Sequence, residues 1–452
     1  MVNTKIIEFF FEMEDELDLL ELQQDNIYVY VIARRAIFLS LLQKENEFRS
    51  IHNKLKFKDY LKSLSSYAKN CTIKNPFIKK TLKKTWLIDH PRKIRFDNKF
   101  IDIYTHFFIE DHKDDIEVFT NFQLGSDSKN MPYDNSLSLD FLRFFYFISY
   151  KFTKVEIKND NRFKLQKLQK AIFEKFNVEI DVISIVRQRI RRYIAQYNIF
   201  YRLINKFKPN YLYIVASYEK EAIISAAQDL NVKVIEFQHG VITDHHIGYS
   251  YSKPEKFIPY FPNKILTFGD YWAKNSKFPE QTEIEVYGYP YLNEQLKKYK
   301  DVKKNKRQVI VLSQGTIGIQ LSQFIAQLVE MLPEYNFIYK LHPGEYSRWR
   351  EEYPWLTKLS GSKNFELIDN SEINLYQLLA ESEFQIGVYS TAIYEGLTLG
   401  CKTILLELSG IEHMLSLIEK DIVKLVNTTD EVSELLENFS SMDFSKDYFF
   451  KN

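Results

Sequence analysis

Cysteine, glycine and charge of one sign are all scarce in this chain of 452 residues. Two cysteines, Cys71 and Cys401, are too few for a disulfide framework or a thiolate zinc site. A reducing compartment fits that usage. Lys and Arg total 61 against 60 Asp and Glu, a balance that excludes a globally basic nucleic-acid binder and an acidic solvating chain. No nucleic-acid partner is expected. The longest apolar-leaning stretch, Ile27–Leu42, is broken by Arg34 and Arg35, so no membrane span is predicted. The segment Met1–Leu22 alternates apolar residues with Glu and Asp and shows no signal-peptide pattern. The expectation is a soluble cytoplasmic protein, attached at most peripherally to the inner face of the cell membrane.

Familiar motifs are missing too. The chain has no G-x-G-x-x-G, Walker loop, H-E-x-x-H or G-x-S-x-G. No two aspartates stand at i, i+2, which removes the Asp-x-Asp metal clamp of many nucleotide-sugar enzymes. Chemistry without a metal or cofactor is expected.

Aromatic residues are abundant, at 36 Phe, 30 Tyr and 4 Trp, and the length suggests two or three domains with sizeable cores. Of 13 glycines only Gly125 precedes residue 239. Tight turns and close backbone approaches therefore concentrate in the second half. The first 80 residues read as helical. Thr85–Asp89 reads as a strand ended by His90-Pro91-Arg92, and Leu139–Lys208 returns to a helical pattern. From residue 210 short apolar runs alternate with helical segments, the signature of parallel sheets covered on both faces. The runs are Tyr211–Ala216, Lys233–Phe237, Lys264–Phe268 and Glu283–Tyr287, then Val309–Leu312, Phe337–Leu341, Phe365–Ile368, Phe384–Val388 and Thr403–Leu406. The charged, glycine-free stretch Lys297–Arg307 marks a boundary. The predicted class is α/β, with two Rossmann-like domains facing a cleft and a helical N-terminal elaboration. The predicted division is 1–84, 85–298 and 299–452.

Four strand-end constellations carry candidate chemistry. Gln238-His239-Gly240 is followed by Asp244, His245 and His246; a strand-end His beside Gly suits a general base, and a solvated surface loop would have the same residues. Lys340-Leu341-His342-Pro343-Gly344 must end its strand, because Pro cannot donate to the ladder; it reads equally as a plain terminating turn. Tyr389-Ser390-Thr391 opens a helix whose dipole and free N–H groups suit a phosphate, with Glu395 one turn inside to meet a ribose. Ordinary helix capping explains the same pair. Ser313-Gln314-Gly315-Thr316 is a short polar turn able to offer N–H groups to an anion, or a simple strand–helix connection.

Taken together these segments resemble bacterial capsule and lipopolysaccharide glycosyltransferases of the GT-B architecture. Those families carry a Gln-His-Gly segment, a His-Pro motif and a Ser-Ser/Thr motif with a following acidic residue; they include sialyltransferases and polysialyltransferases, Kdo transferases and CDP-glycerol polymerases. The resemblance covers roughly residues 205–410, with an echo at His90-Pro91-Arg92. It implies a nucleotide-sugar donor held by Ser313, Gln314, Gly315, His342, Ser390, Thr391 and Glu395. His342 would support departure of the donor phosphate, and His239 or Asp244 would activate an acceptor hydroxyl.

The function so implied is metal-independent transfer of a sugar to a bacterial surface glycan or lipid-linked acceptor, with a CMP-linked acidic sugar such as sialic acid or Kdo as the preferred donor class. CDP-polyol phosphotransfer, nucleotide-sugar 2-epimerisation and non-catalytic glycan binding are the alternatives. Lys74, Lys79, Lys80, Lys83, Lys84, Arg92, Lys93 and Arg95, interleaved with Phe77, Ile78 and Trp86, fit peripheral contact with anionic lipid. A solvated helix face is the plainer account of the same charges, as it is for Arg187, Arg189, Arg191, Arg192 and Arg202.

Overall fold

A computed structural model describes residues 2–45, 67–68, 70–91, 93–97, 99–120, 133 and 135–451. Arg92 lies outside the described residues. The chain opens with α1 (Val2–Glu16) and α2 (Arg34–Lys44), separated by a hairpin pairing Gln23–Gln24 with Ile27–Tyr28. This region shares its core with the first sheet. Phe10, Leu19, Ile37 and Leu41 are fully buried in one cluster with Trp86, Leu212 and Ile214. Arg34 is buried there, its Nε 2.5 Å from Glu14 Oε1, and it also donates to the carbonyls of Ile247 and Ser250. A buried ion pair holds when its remaining donors are satisfied in this way.

The first sheet follows: β1 (Thr85–Ile88), α3 (His106–Asp111), β2 (Ile116–Thr120), β3 (Leu137–Ser138), α4 (Phe141–Phe152), α5 (Asn159–Phe176), α6 (Val182–Phe207), β4 (Tyr211–Val215), α7 (Glu221–Gln228), β5 (Lys233–Phe237), β6 (Lys264–Thr267) and β7 (Glu283–Val286). Its strand order is β7-β6-β5-β4-β1-β2-β3, parallel throughout. Continuous apolar runs such as Trp86–Ile88 suit strands covered on both faces. α8 (Pro290–Tyr299) then leads through residues 300–304 into the second sheet. There β8 (Asn305–Leu312), α9 (Gly318–Met331), β9 (Asn336–Lys340), β10 (Phe365–Ile368), α10 (Leu375–Glu381), β11 (Ser382–Gly387), α11 (Thr391–Thr398), β12 (Lys402–Leu406), β13 (Lys424–Val426) and α12 (Thr429–Glu437) give the order β10-β9-β8-β11-β12-β13. This sheet is also parallel. The two-sheet α/β architecture expected from the sequence is the one observed.

Each sheet places its first strand beside its fourth: β1 pairs with β4, and β8 pairs with β11. Connections leave these pairs in opposite directions, so a crevice opens at their carboxyl ends. The charged stretch Lys297–Arg307 is mostly structured, its start finishing α8 and its end opening β8. A second crossing joins the halves: Phe449 and Phe450 are buried, Trp272 Nε1 donates to the Phe449 carbonyl at 2.7 Å, and Lys451 N donates to Phe268 O at 2.8 Å. Gly269 admits this segment, since a Cβ there would lie 2.6 Å from Phe449 O.

Candidate functional site at the facing sheet rims

In the first sheet, β1 ends in Asp89-His90, β4 in Ala216-Ser217-Tyr218 and β5 in Gln238-His239-Gly240. The turn after β4 is unusual. Ala216 and Glu219 have φ of 59° and 65°, a region that non-glycine residues seldom occupy. Lys220 holds the turn by donating from Nζ to the carbonyls of Val215 at 2.7 Å and Ala216 at 2.5 Å. The result sets the Tyr218 hydroxyl 2.7 Å from His239 Nε2. His239 is enclosed further by His90, stacked at 6.0 Å, and by the edge of Tyr104 at 6.2 Å. Burial pushes the His239 imidazole down to about 3, with His90, Lys220 and Arg35 adding to the effect. It is therefore neutral at physiological pH, and its buried Nδ1 has no hydrogen-bond partner.

Asp89 brings a second kind of titratable group to this rim. Its carboxyl is buried, one oxygen ion-paired with Lys93 and Oδ1 buried without a hydrogen-bond partner. Burial raises it to about 7, partly offset by Lys93 and reinforced by Asp102. Asp102 is anchored by accepting from His90 N at 2.8 Å, Tyr104 N at 3.0 Å and Thr105 Oγ1 at 2.7 Å. Sequence reasoning passed over Asp89 and Tyr218. The strand-end rule that singled out His239 applies equally to Asp89, whereas nothing local marks Tyr218.

Asp244 and His245 form a pair at 2.7 Å, which lowers the carboxyl and raises the imidazole. Asp244 N also donates to Asn275 O at 2.9 Å. This pair stands apart from the Asp89–His239 group. His246 continues the ring contacts instead: Tyr218 meets His239 at 5.5 Å and His246 at 5.7 Å, and His246 meets His413 of the second half at 6.4 Å. His413 in turn contacts Tyr389, next to Ser390, at 5.5 Å. Burial holds both His246 and His413 low, so these imidazoles are also neutral. Thr243 Oγ1 lies 3.0 Å from His413 Nδ1, and a Cβ on Gly240 would lie 3.8 Å from Thr391 Oγ1. The loop after β5 therefore meets the N-terminus of α11 across the cleft.

The second rim is built from hydroxyls and backbone. Ser390 occupies the N-cap of α11 without making the usual side-chain cap, and its Oγ is buried without a partner. Gln314 Oε1, on the loop after the neighbouring β8, is likewise buried and unsatisfied. Buried polar atoms without partners are rare in folded chains, and these two flank one crevice. Ser313 is differently placed: its hydroxyl donates to Glu345 Oε1 at 3.0 Å, a carboxylate that Tyr353 also donates to at 2.6 Å. Ser313 thus braces the loop, and its side chain is already engaged. The Gly315 carbonyl accepts from Arg348 at 3.2 Å.

His342 is exposed at the end of β9, where its Nδ1 accepts from Gly344 N at 3.1 Å and Glu345 accepts from its backbone N–H at 2.7 Å. This reciprocal cap fixes the imidazole at the rim. Glu395 is buried in α11, and its charge adds to the burial that raises the hydroxyls of Tyr289, Tyr291 and Tyr376. Among the described residues no group of three His, Cys, Asp or Glu side chains is arranged to hold a metal ion.

No family model matches the chain. The uncharacterized protein MJ1060 of Methanocaldococcus jannaschii is 29% identical over 197 residues, 40% of this chain and 33% of that protein. The chain thus matches a third of that relative's length. Among solved structures, UDP-GlcNAc 2-epimerase from Methanocaldococcus jannaschii superposes with a TM-score of 0.48 at 11% identity, covering 82% of this chain and 96% of that one. The Neisseria meningitidis UDP-GlcNAc 2-epimerase gives 0.44 at 16% identity over 78% and 90%. Acinetobacter baumannii MurG gives 0.46 at 8% identity over 79% and 90%.

Proposed function

We propose that the cleft processes a nucleotide sugar, and specifically that it transfers the sugar to an acceptor hydroxyl. One observation carries this reading: the crevices of the two sheets face each other, one lined by a raised carboxyl and neutral imidazoles, the other by a helix N-terminus with an unsatisfied hydroxyl. Phosphate favours the second environment, where dipole and hydroxyls need no reorganisation. A raised carboxyl near neutrality favours proton abstraction in the first.

In the proposed reaction Asp89 takes the proton of the acceptor hydroxyl, and the oxygen attacks the anomeric carbon. The bond from that carbon to the phosphate oxygen breaks, and the nucleotide departs with the electron pair. Ser390, Thr391 and the α11 N-terminus hold the phosphate, His342 meets its growing charge, and Glu395 faces the nucleoside. His239 is too weakly basic to compete with Asp89 for the proton; as a neutral imidazole fixed by Tyr218 it positions the acceptor. The motif resemblance makes a CMP-linked acidic sugar the first donor to test.

Thermal shift of the full chain against CMP-, CDP-, UDP- and GDP-linked sugars is the direct experiment. A ligand at 100 times its Kd stabilises by about 2.7 kcal/mol. Turnover is then measured with and without a glycan acceptor, and after EDTA treatment. Acceptor-dependent, EDTA-resistant release of nucleotide supports the reading. Conversion of the nucleotide sugar without an acceptor would make the protein an epimerase, and absence of any nucleotide-induced shift would remove enzymatic use of the cleft.

A further inference from the structure

Away from the cleft, one face of the first half combines large exposed apolar side chains with lysine. On α4, Phe145, Ile148 and Phe152 stand at i, i+3 and i+7, and are 50%, 40% and 81% exposed. That spacing places them on one side of the helix. Ile73 and Ile78, 63% and 61% exposed, come from a segment tied to the start of α4. Ser138 N donates to Lys74 O at 2.9 Å, and Asn70 Nδ2 donates to Asp140 Oδ2 at 2.8 Å. The two segments therefore form one continuous surface beside the edge strand β3.

Basic residues outnumber acidic ones around it, with Glu117 beside Lys79 and Lys83 and Asp140 buried at the start of α4. Residues 70–88 contain Lys74, Lys79, Lys80, Lys83 and Lys84 and no acidic residue; residues 141–155 contain Arg143, Lys151 and Lys154 and again none. Lys79, Lys80, Lys151 and Lys154 are exposed. Lys206 of α6 ties the first segment down by donating to the carbonyls of Phe77 at 2.7 Å and Lys79 at 3.3 Å. In a chain balanced at 61 basic and 60 acidic residues, this segregation is local.

We infer that this face docks on the surface of an anionic lipid bilayer, with the α4 aromatics and Ile73 and Ile78 entering the interfacial layer and the lysines meeting lipid phosphates. Protein–protein interfaces are depleted in lysine, whereas exposed aromatic and aliphatic side chains beside lysine are what surface-lying membrane segments present. α4 starts from the carboxyl end of β3, the same rim of the sheet that carries Asp89 and His239. The docking stands whether or not the cleft handles a nucleotide sugar.

The test is cosedimentation of the full chain with phosphatidylcholine vesicles, and with vesicles of phosphatidylcholine mixed with phosphatidylglycerol. Binding to the phosphatidylglycerol vesicles alone, weakening as salt is raised, is the expected result. Phe145→Ser/Phe152→Ser should weaken it roughly tenfold or more, since apolar burial drives insertion. Lys79→Glu/Lys80→Glu leaves the apolar surface intact and should weaken it about 25-fold from the two lost charges alone. Circular dichroism establishes that both variants fold. Equal binding to both vesicle types, binding unchanged in both variants, or no binding to phosphatidylglycerol overturns the inference. A concentration-dependent dimer that the Phe variant abolishes, without vesicle binding, assigns the face to a second copy of the chain and also overturns it.

Discussion

The two sheet rims have the same topology but different material. On the first, Asp89, His90, His239 and Tyr218 crowd together, and burial raises the carboxyl to about 7 and lowers the His239 imidazole to about 3. On the second, polarity comes from Ser390, Thr391, Gln314 and backbone N–H groups, and the histidine, His342, is exposed. The first environment holds a carboxyl whose proton moves near neutral pH; the second relies on fixed dipoles and hydroxyls, with His342 at its exposed edge. Under the proposed reaction, damage to the first should appear in turnover and damage to the second in nucleotide affinity.

Asp89→Asn is the sharpest break. Turnover should fall by roughly 10²–10⁴-fold, with nucleotide affinity by calorimetry unchanged within about twofold. The pH profile separates a base from a bystander. Because the carboxyl must lose its proton to act, kcat/KM should rise through about pH 7 and then level, and the residual activity of the variant should lack that rise. Equal losses of affinity and turnover would place Asp89 in binding.

His342→Ala comes next, at roughly 10²–10³-fold in turnover, as for loss of one preorganised donor to developing charge. Since the imidazole also caps its own loop, His342→Asn serves as the control: it can accept from Gly344 N but cannot carry charge. If the Asn variant restores turnover, the role of His342 is structural.

Ser390→Ala/Thr391→Ala should weaken nucleotide binding by about 10–100-fold, from lost hydrogen bonds to a charged group. Turnover at saturating donor should fall less. Unchanged affinity would reduce the motif to a helix start. Tyr218→Phe keeps the ring and removes the 2.7 Å contact to His239; it should cost about 1 kcal/mol of stability and leave nucleotide affinity unaltered.

The smallest effect is on stability against acid. His239, His246 and His413 are held neutral in the fold, while the same imidazoles in the unfolded chain bind protons below about pH 6.5. At these sites the unfolded state takes up protons first as pH falls below about 6.5, so their contribution to stability drops there, for His239 down to about pH 3. Asp89 acts in the opposite sense between about 4 and 7, since its folded form keeps its proton longer. Removing one such imidazole removes its share of the loss, so His239→Gln should lose less Tm than the unaltered protein between pH 7 and pH 5.

The parallel sheets were legible because strands buried on both faces read as unbroken apolar runs, as in Tyr211–Val215 and Val309–Leu312. β2 escaped because Asp111, Asp114 and Asp115 surround its approach and Glu117 interrupts it. β3, with two residues, leaves no pattern at all. Helical periodicity in the first 45 residues showed that a face is buried but not against what, so the shared core with Trp86 and Leu212 was invisible. The strand-end histidines could be found by position, yet the depth of His239 depends on Tyr104 and Tyr218 arriving from distant segments. Ser313 shows the converse. Its turn invites an anion, but the hydroxyl is engaged by Glu345, a carboxylate 32 residues away.

The chain passes between its halves at residues 300–304 and again before Phe449, Phe450 and Lys451 seat against Phe268 and Trp272. Two separated crossings tie the halves together at two places, where one would tie them at a single point. Gly269 lies at the second crossing, and a side chain there would push that segment off its seat. Under the proposed reaction, such a change far from any reacting atom would shift Asp89 and Ser390 relative to each other.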